Sequence, residues 1–191
     1  NIYFRKAVAH AIDRQSIIDI LMYGFGHEEY GPISPAASFF YNSKIVQYPY
    51  DLKKSKVLLT QAGFNWKNGK LYDHDSHPVA FSLLTNSDNS IRVKISELIR
   101  KDLSELGIQV NFLTVEFNNL VNRVSVTYDW DCVLMGLTGG IEPHFGRNVW
   151  HTTGRMHFWN PDQTQPETEW EKRLDEIFDL PIKVEKKPGR N

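Results

Sequence analysis

The chain has 191 residues and a single cysteine, which excludes an internal disulfide framework and any multi-cysteine zinc site. It has no surplus of charge. Against 22 Lys plus Arg stand 23 Asp plus Glu, a formal net charge of -1. No basic excess exists to displace counterions from phosphates, so nucleic acid is excluded as a partner on electrostatic grounds. A polybasic membrane-surface protein is excluded for the same reason. No run reaches the roughly 18 apolar residues of a membrane-spanning helix. The common catalytic signatures are missing as well. There is no G-x-x-x-x-G-K-[ST] phosphate loop and no G-x-S-x-G nucleophile elbow, and Gly24-Phe25-Gly26 follows a helical pattern, not a strand. The chain opens Asn1-Ile2-Tyr3-Phe4-Arg5 with no leader pattern, and is expected to be a piece of a longer protein.

What is present is an ordinary globular composition rich in aromatics, which make up 13% of the residues and can line a ligand surface as well as fill a core. Phe4, Ala7, Val8, Ala11 and Ile12 form a helical stripe. Asp13 is placed to cap a second helix that buries Ile17, Ile18, Leu21 and Met22 and stops at Gly24 and Gly26. Residues 27 to 50 form a long connection with no period, carrying three prolines and several aromatics. Asp51 caps a helix with Val57, Leu58 and Ala62 inward, ended by Gly63, and Asn68-Gly69 marks a small hairpin.

The next block sets the fold class. Val79 to Leu84 reads as a strand buried on both faces. A helix follows with Ile91, Ile95, Leu98, Ile99, Leu103 and Leu106 inward, then a strand over Ile108 to Val115. Phe117, Leu120, Val121 and Val124 stripe another helix, and Cys132 to Leu137 is a third buried strand. This β-α-β-α-β rhythm predicts an α/β fold with a largely parallel sheet flanked by helices. Residues 138 to 166 are loop with one short helical turn. A last helix spans Glu167 to Asp179 with Trp170, Leu174, Ile177 and Phe178 inward, and the polar tail from 180 to 191 is expected to fray.

Ligands of open α/β sheets gather beyond the carboxyl ends of the strands. Three loops leave those ends here, at Thr85 to Asn89, Val115 to Asn118 and Leu137 to Gly146. Gly139 and Gly140 in the third either serve a turn or let a ligand approach the backbone. Asp129 and Asp131 read as a strand-entry turn ahead of an acid/base pair, and Cys132 as inert core. His74, His77, His144, His151 and His157 lack a metal-protease spacing and read as surface or supporting histidines. Phe158-Trp159-Asn160-Pro161 either stacks on a ligand or packs on the last helix.

Phe4-Arg5-Lys6-Ala7-Val8-Ala9-His10-Ala11-Ile12-Asp13-Arg14 resembles a helix of the family 5 extracytoplasmic solute-binding proteins, the oligopeptide, dipeptide and nickel receptors of ABC importers. The resemblance continues in order through Tyr23-Gly24, Gly31-Pro32-Ile33, Tyr50-Asp51 to Ala62-Gly63-Phe64, Leu84-Thr85-Asn86, Gly107-Ile108-Gln109-Val110 and Trp130-Asp131 to Gly136. It implies that residues 1–179 are the carboxyl-terminal lobe of a periplasmic-binding-protein-like receptor that carries a peptide or similar small solute and is not an enzyme. It also implies a periplasmic or extracytoplasmic location, association with a membrane-embedded ABC permease, an amino-terminal lobe outside this sequence, and no cofactor. On this reading the ligand contacts are Thr138, Gly139, Gly140, Glu142 and His144, then Asn86 and Asn118. Peptide-binding relatives carry an Asp that holds the peptide ammonium where Gly139 or Gly140 stands here. A free peptide amino terminus would therefore need another acid such as Glu142. Two other readings are a small α/β enzyme using Asp129, Asp131 or Glu142 with His144, and a metal-chelate carrier using His144, His151 or His157.

Overall fold

Asn1 accepts the amides of Tyr3 and Phe4 through its side chain and starts helix α1 (Ile2–Ala11). Ala7 and Ala11 are fully buried on that helix. Their small side chains let α3 (Leu52–Gln61) come close enough for Ser55 Oγ to donate to the Ala7 carbonyl at 2.8 Å. Asp13 caps α2 (Arg14–Leu21), as its position predicts. The computed structural model describes residues 1–137 and 142–180. The chain divides into two units, Asn1–Leu137 and Thr138–Asn191.

In the first unit the connection from 22 to 50 is irregular, as expected, and is tied down at its far end. The Asp51 amide donates to the His10 carbonyl, and the buried His10 ring sits 2.6 Å from the Pro49 carbonyl. Strands β1 (Asn65–Lys67) and β2 (Lys70–Tyr72) form the antiparallel hairpin, with Asn68 and Gly69 both at positive φ. Gly107, at φ 74°, faces this hairpin. A Cβ there would meet the Gly69 carbonyl oxygen at 2.4 Å, so only glycine fits.

The central sheet has the order β4-β3-β5 and both pairings are parallel. Strand β3 (Ala80–Asn86) pairs along its length with β4 (Gln109–Val115), from Ala80 opposite Gln109 to Asn86 opposite Val115. Helix α4 (Ser90–Ser104) joins them, with its amino terminus beside the carboxyl ends of the strands. After β4 come α5 (Phe117–Asn122), a wide π-turn over Arg123–Thr127, and β5 (Cys132–Val133). The core beneath the sheet joins Ala7, Ala11, Leu59, Leu71, Leu83, Leu103, Leu106, Ile108 and Val110.

Several sequence expectations are corrected. Strand β3 is buried only in its second half, and it runs two residues further, so Thr85 and Asn86 are strand residues. The third strand is two residues long, not six: its ladder ends at Val133, and beyond it Leu134 alone still meets β3, its amide donating to the Leu84 carbonyl and its carbonyl accepting the Thr85 hydroxyl. Met22, Val57 and Ile91 are exposed, whereas α3 turns Ser55 and Leu59 inward. Met22 lies past the last residue of α2, Val57 stands two residues from both Ser55 and Leu59 and so on the opposite face of α3, and Ile91 is in the first turn of α4.

The second unit holds a short 3-10 turn over Pro143–Gly146, α6 (Arg147–Trp150) and α7 (Glu169–Phe178). Thr168 and Glu171 make a reciprocal capping box at the start of α7. Trp170 and Ile177 on that helix are exposed; Phe178 is buried as expected, and Glu171, 5% exposed, turns inward as well. The expected frayed tail lies outside the described residues beyond Leu180.

Candidate functional site

The carboxyl ends of β3 and β4 and the exit from β5 converge on a set of polar side chains. Asn86, the last residue of β3, is 3% exposed. Its Oδ1 accepts from Arg92 Nη1 at 2.8 Å, and its Nδ2 donates to Asp88 Oδ1 at 2.6 Å. Asn89 caps α4 by accepting the Arg92 amide at 3.0 Å, which fixes where the arginine leaves the helix. A Cβ built on Gly136 would lie 2.7 Å from Arg92 Nη2, so the guanidinium crosses the segment that follows β5. The Ser87 amide donates to the Val115 carbonyl and joins the β3 and β4 exits. Beyond β4, Glu116 caps α5 by accepting the amides of Asn118 and Asn119, and the exposed Asn118 donates to it again through Nδ2 at 3.1 Å.

Arg92 was not anticipated from the sequence, although a signal was there. It stands in the first turn of α4, where the helix dipole disfavours a cation, and that turn has no acidic residue to offset it. A charge in such a place is held by something outside the helix. Among the described residues no carboxylate lies within ion-pair distance of it. The guanidinium carries five N–H donors. One of them, at Nη1, goes to Asn86.

The other sequence candidates fall out as follows. Thr138, Gly139 and Gly140 lie outside the described residues. Glu142 is exposed in the second unit and precedes the 3-10 turn, its carbonyl accepting the Phe145 amide. His144 is half-buried, its ring 6.0 Å from that of Phe178. His157 is buried, with Nε2 2.7 Å from Gln163 Oε1 and Nδ1 3.2 Å from the Val149 carbonyl, so both ring nitrogens are engaged. His151 is also buried, its Nδ1 accepting the Thr153 amide. Both support the second unit from within. Trp159 stacks 3.8 Å from His157 and 6.4 Å from Trp170 of α7, so it packs on the last helix.

Two of the acids considered for catalysis, Asp129 and Asp131, are structural. Asp129 pairs with Arg123 at 2.8 Å. Asp131 accepts the amide and the hydroxyl of Ser82, at 2.7 and 2.8 Å, and these bonds hold its carboxyl below the usual range. Burial pushes the Cys132 thiol up, and the Asp131 charge adds to this, so the sulfur stays protonated and weakly nucleophilic. A groove of about 290 Å³ is lined by Asp13, Tyr50, Leu98 and Asp102. It lies toward the other end of α4, where Leu98 and Asp102 stand about 9 and 15 Å along the helix from Arg92 at 1.5 Å per residue. Among the described residues the strand-end cluster holds donors and acceptors with no nucleophile paired to a base.

A family profile described as bacterial extracellular solute-binding proteins, family 5 Middle, matches residues 1–156. The chain is similar to the oligopeptide-binding protein AppA of Bacillus subtilis, 32% identical over 135 residues, covering 69% of this chain and 25% of that protein. It is 34% identical over 142 residues to the periplasmic alpha-galactoside-binding protein of Rhizobium meliloti, covering 68% of this chain and 20% of that one. The solved structure of Bacillus subtilis AppA in complex with a nonapeptide superposes with a TM-score of 0.76 at 26% identity, over 93% of this chain and 39% of that chain. The chain thus spans about a quarter of the curated relatives' length, and it shares the periplasmic-binding-protein fold of the solved one.

Proposed function

Because the chain belongs to family 5 of the bacterial extracellular solute-binding proteins, we propose that it is the ligand-binding lobe of an ABC-importer receptor for peptides or similar small solutes. The observation that carries this reading is the strand-end cluster. A buried Asn86 tethers a guanidinium at the edge where parallel sheets receive ligands, and among the described residues no catalytic pair accompanies it. Arg92 supplies N–H donors to a carboxylate or carbonyl of the solute, and Asn86 holds it there. Asn118 offers an exposed amide from the neighbouring strand exit. Thr138, Gly139, Gly140, Glu142 and His144 join as ligand contacts through the likeness of their loop to the family.

Such a lobe works with a second one, supplied by sequence outside these 191 residues. Ligand contacts made in full only by the closed receptor shift the open and closed populations toward closure, and the closed form is what a membrane permease reads. Catalysis is not part of this scheme. Relatives of the chain are named as binding proteins, and among the described residues no helix is long and apolar enough to cross a membrane.

The test uses the receptor with both lobes. Mass spectrometry of small molecules released on denaturing the gently purified protein is expected to show a retained peptide or oligosaccharide. A synthetic nonapeptide mixture is expected to raise the melting temperature. Arg92→Ala is expected to weaken that binding about tenfold or more, the loss of a charge-assisted hydrogen bond worth about 1.5 to 3 kcal/mol. An unchanged melting temperature with every solute tried, or conversion of a bound solute to product, overturns the reading.

A further inference from the structure

The turn that links the hairpin to the central sheet, Asp73-His74-Asp75-Ser76-His77, is not used by the binding function above. It brings two carboxylates and two imidazoles into five residues. Asp73 shapes it, its Oδ1 accepting the amides of Asp75 at 3.0 Å and His77 at 2.8 Å. The Asp73 amide donates to the His77 carbonyl and the Ser76 amide to the Asp73 carbonyl, and a bridge between Tyr72 and Pro78 closes the base. Donor atoms of Asp73, Asp75 and His77 all lie within 4.8 Å of one another.

We propose that this turn binds one divalent transition-metal ion of the zinc, nickel or copper class, through Asp73, Asp75 and His77. The spacing fits that class. Asp73 Oδ2 lies 3.5 Å from His77 Nδ1, and the Asp75 donor atom is within 4.8 Å of both residues' donors. Two donors each about 2.1 Å from a tetrahedral centre stand about 3.4 Å apart. Imidazole nitrogen selects these metals over calcium and magnesium, which require six or more oxygens or a hydrated shell. The turn keeps its shape through main-chain bonds and the Asp73 Oδ1, so Asp73 Oδ2 and the exposed side chains of Asp75 and His77 are left for the ion. The site precedes β3, whereas Asn86 ends that strand, so the length of a seven-residue strand, about 20 Å, separates it from the strand-end cluster.

Titrating the untagged chain calorimetrically with zinc chloride and with nickel chloride is expected to give one ion bound per chain, and calcium chloride no saturable heat. Nickel is expected to broaden the amide resonances of residues 73–78 selectively. The double substitution Asp75→Asn with His77→Ala is expected to weaken binding about tenfold or more, with no change in the melting temperature of the metal-free protein because both side chains are exposed. His27→Ala, at an exposed histidine outside both sites, is expected to leave metal binding unchanged. Saturation by calcium, equal affinity in the double variant, broadening centred elsewhere, or no heat with either transition metal overturns the proposal. None of these outcomes bears on the solute-binding reading, which rests on Arg92 and Asn86.

Discussion

The two units of the chain solve the problem of a buried interior in different ways. In Asn1–Leu137 the interior is made by apolar residues, among them Leu59, Leu71, Leu84, Leu103, Leu106 and Leu120, each at most 1% exposed. In Thr138–Asn191 the buried described residues are His151, Thr152, His157 and Glu171, and Phe178 is the only apolar one among them. The first interior is stabilised by removing hydrocarbon from water and tolerates imprecise neighbours. The second depends on directed bonds, because a buried polar atom without a partner costs the full desolvation of that atom. Glu171 shows how such a group is kept. Burial alone pushes its carboxyl up, yet bonds from the Thr168 hydroxyl and the Glu167 and Thr168 amides outweigh burial and hold it below the usual range.

The largest expected effect lies in the apolar unit. Leu103→Ala removes a side chain 1% exposed and packed in the core cluster. It is expected to cost about 2 to 5 kcal/mol in urea unfolding, nearly independent of pH. Glu171→Ala tests the polar unit and is expected to cost about 1 to 3 kcal/mol at neutral pH. Here pH matters. A carboxyl lowered on folding contributes stability that is present above its unfolded value, about 4.3, and lost as pH falls through the folded one. Wild type and the variant should therefore converge in acid. A Glu171→Ala chain equally destabilised at pH 7 and at pH 3 would break the contrast between the units.

The smallest effect sharpens the comparison from inside the apolar unit. Burial pushes the Asp102 carboxyl up, and the nearby charges of Asp13 and Glu105 add to this against the bond it accepts from the Asp13 amide. A carboxyl raised on folding holds its proton better in the folded chain, so its contribution to stability falls as pH rises through that window. Asp102→Asn keeps an oxygen for the Asp13 amide and removes the charge. It is expected to leave the melting temperature at pH 7 unchanged or slightly higher, and to give no gain at pH 3. A drop in melting temperature at pH 7 would show that the charge itself holds α2 against α4.

How far the sequence could be read follows the same division. The α1 stripe, the caps at Asp13 and Asp51, the Asn68-Gly69 hairpin and the parallel strands were all legible, because each is a local or periodic signal. Of the candidate contacts, Asn86 was legible as a residue at the edge of the sheet, though its place inside β3 and its burial were not. Arg92 was overlooked because its role depends on Asn86, six residues earlier, and on Gly136 in the segment after β5. The inward turn of Glu171 was hidden for a similar reason. A periodic reading counts apolar residues and assigns an acid to the outside unless its hydrogen-bond donors are known.

The order and direction of the elements were thus settled along the chain itself, since caps, turns and hydrophobic spacing act over a few residues and need no distant partner. Which polar groups face inward, and which charge stands free at the strand ends, was decided only once the chain had folded. Those outcomes depend on hydrogen-bond partners that the tertiary structure brings together, as Asp131 meets Ser82 across 49 residues. Neither composition nor period carries that information.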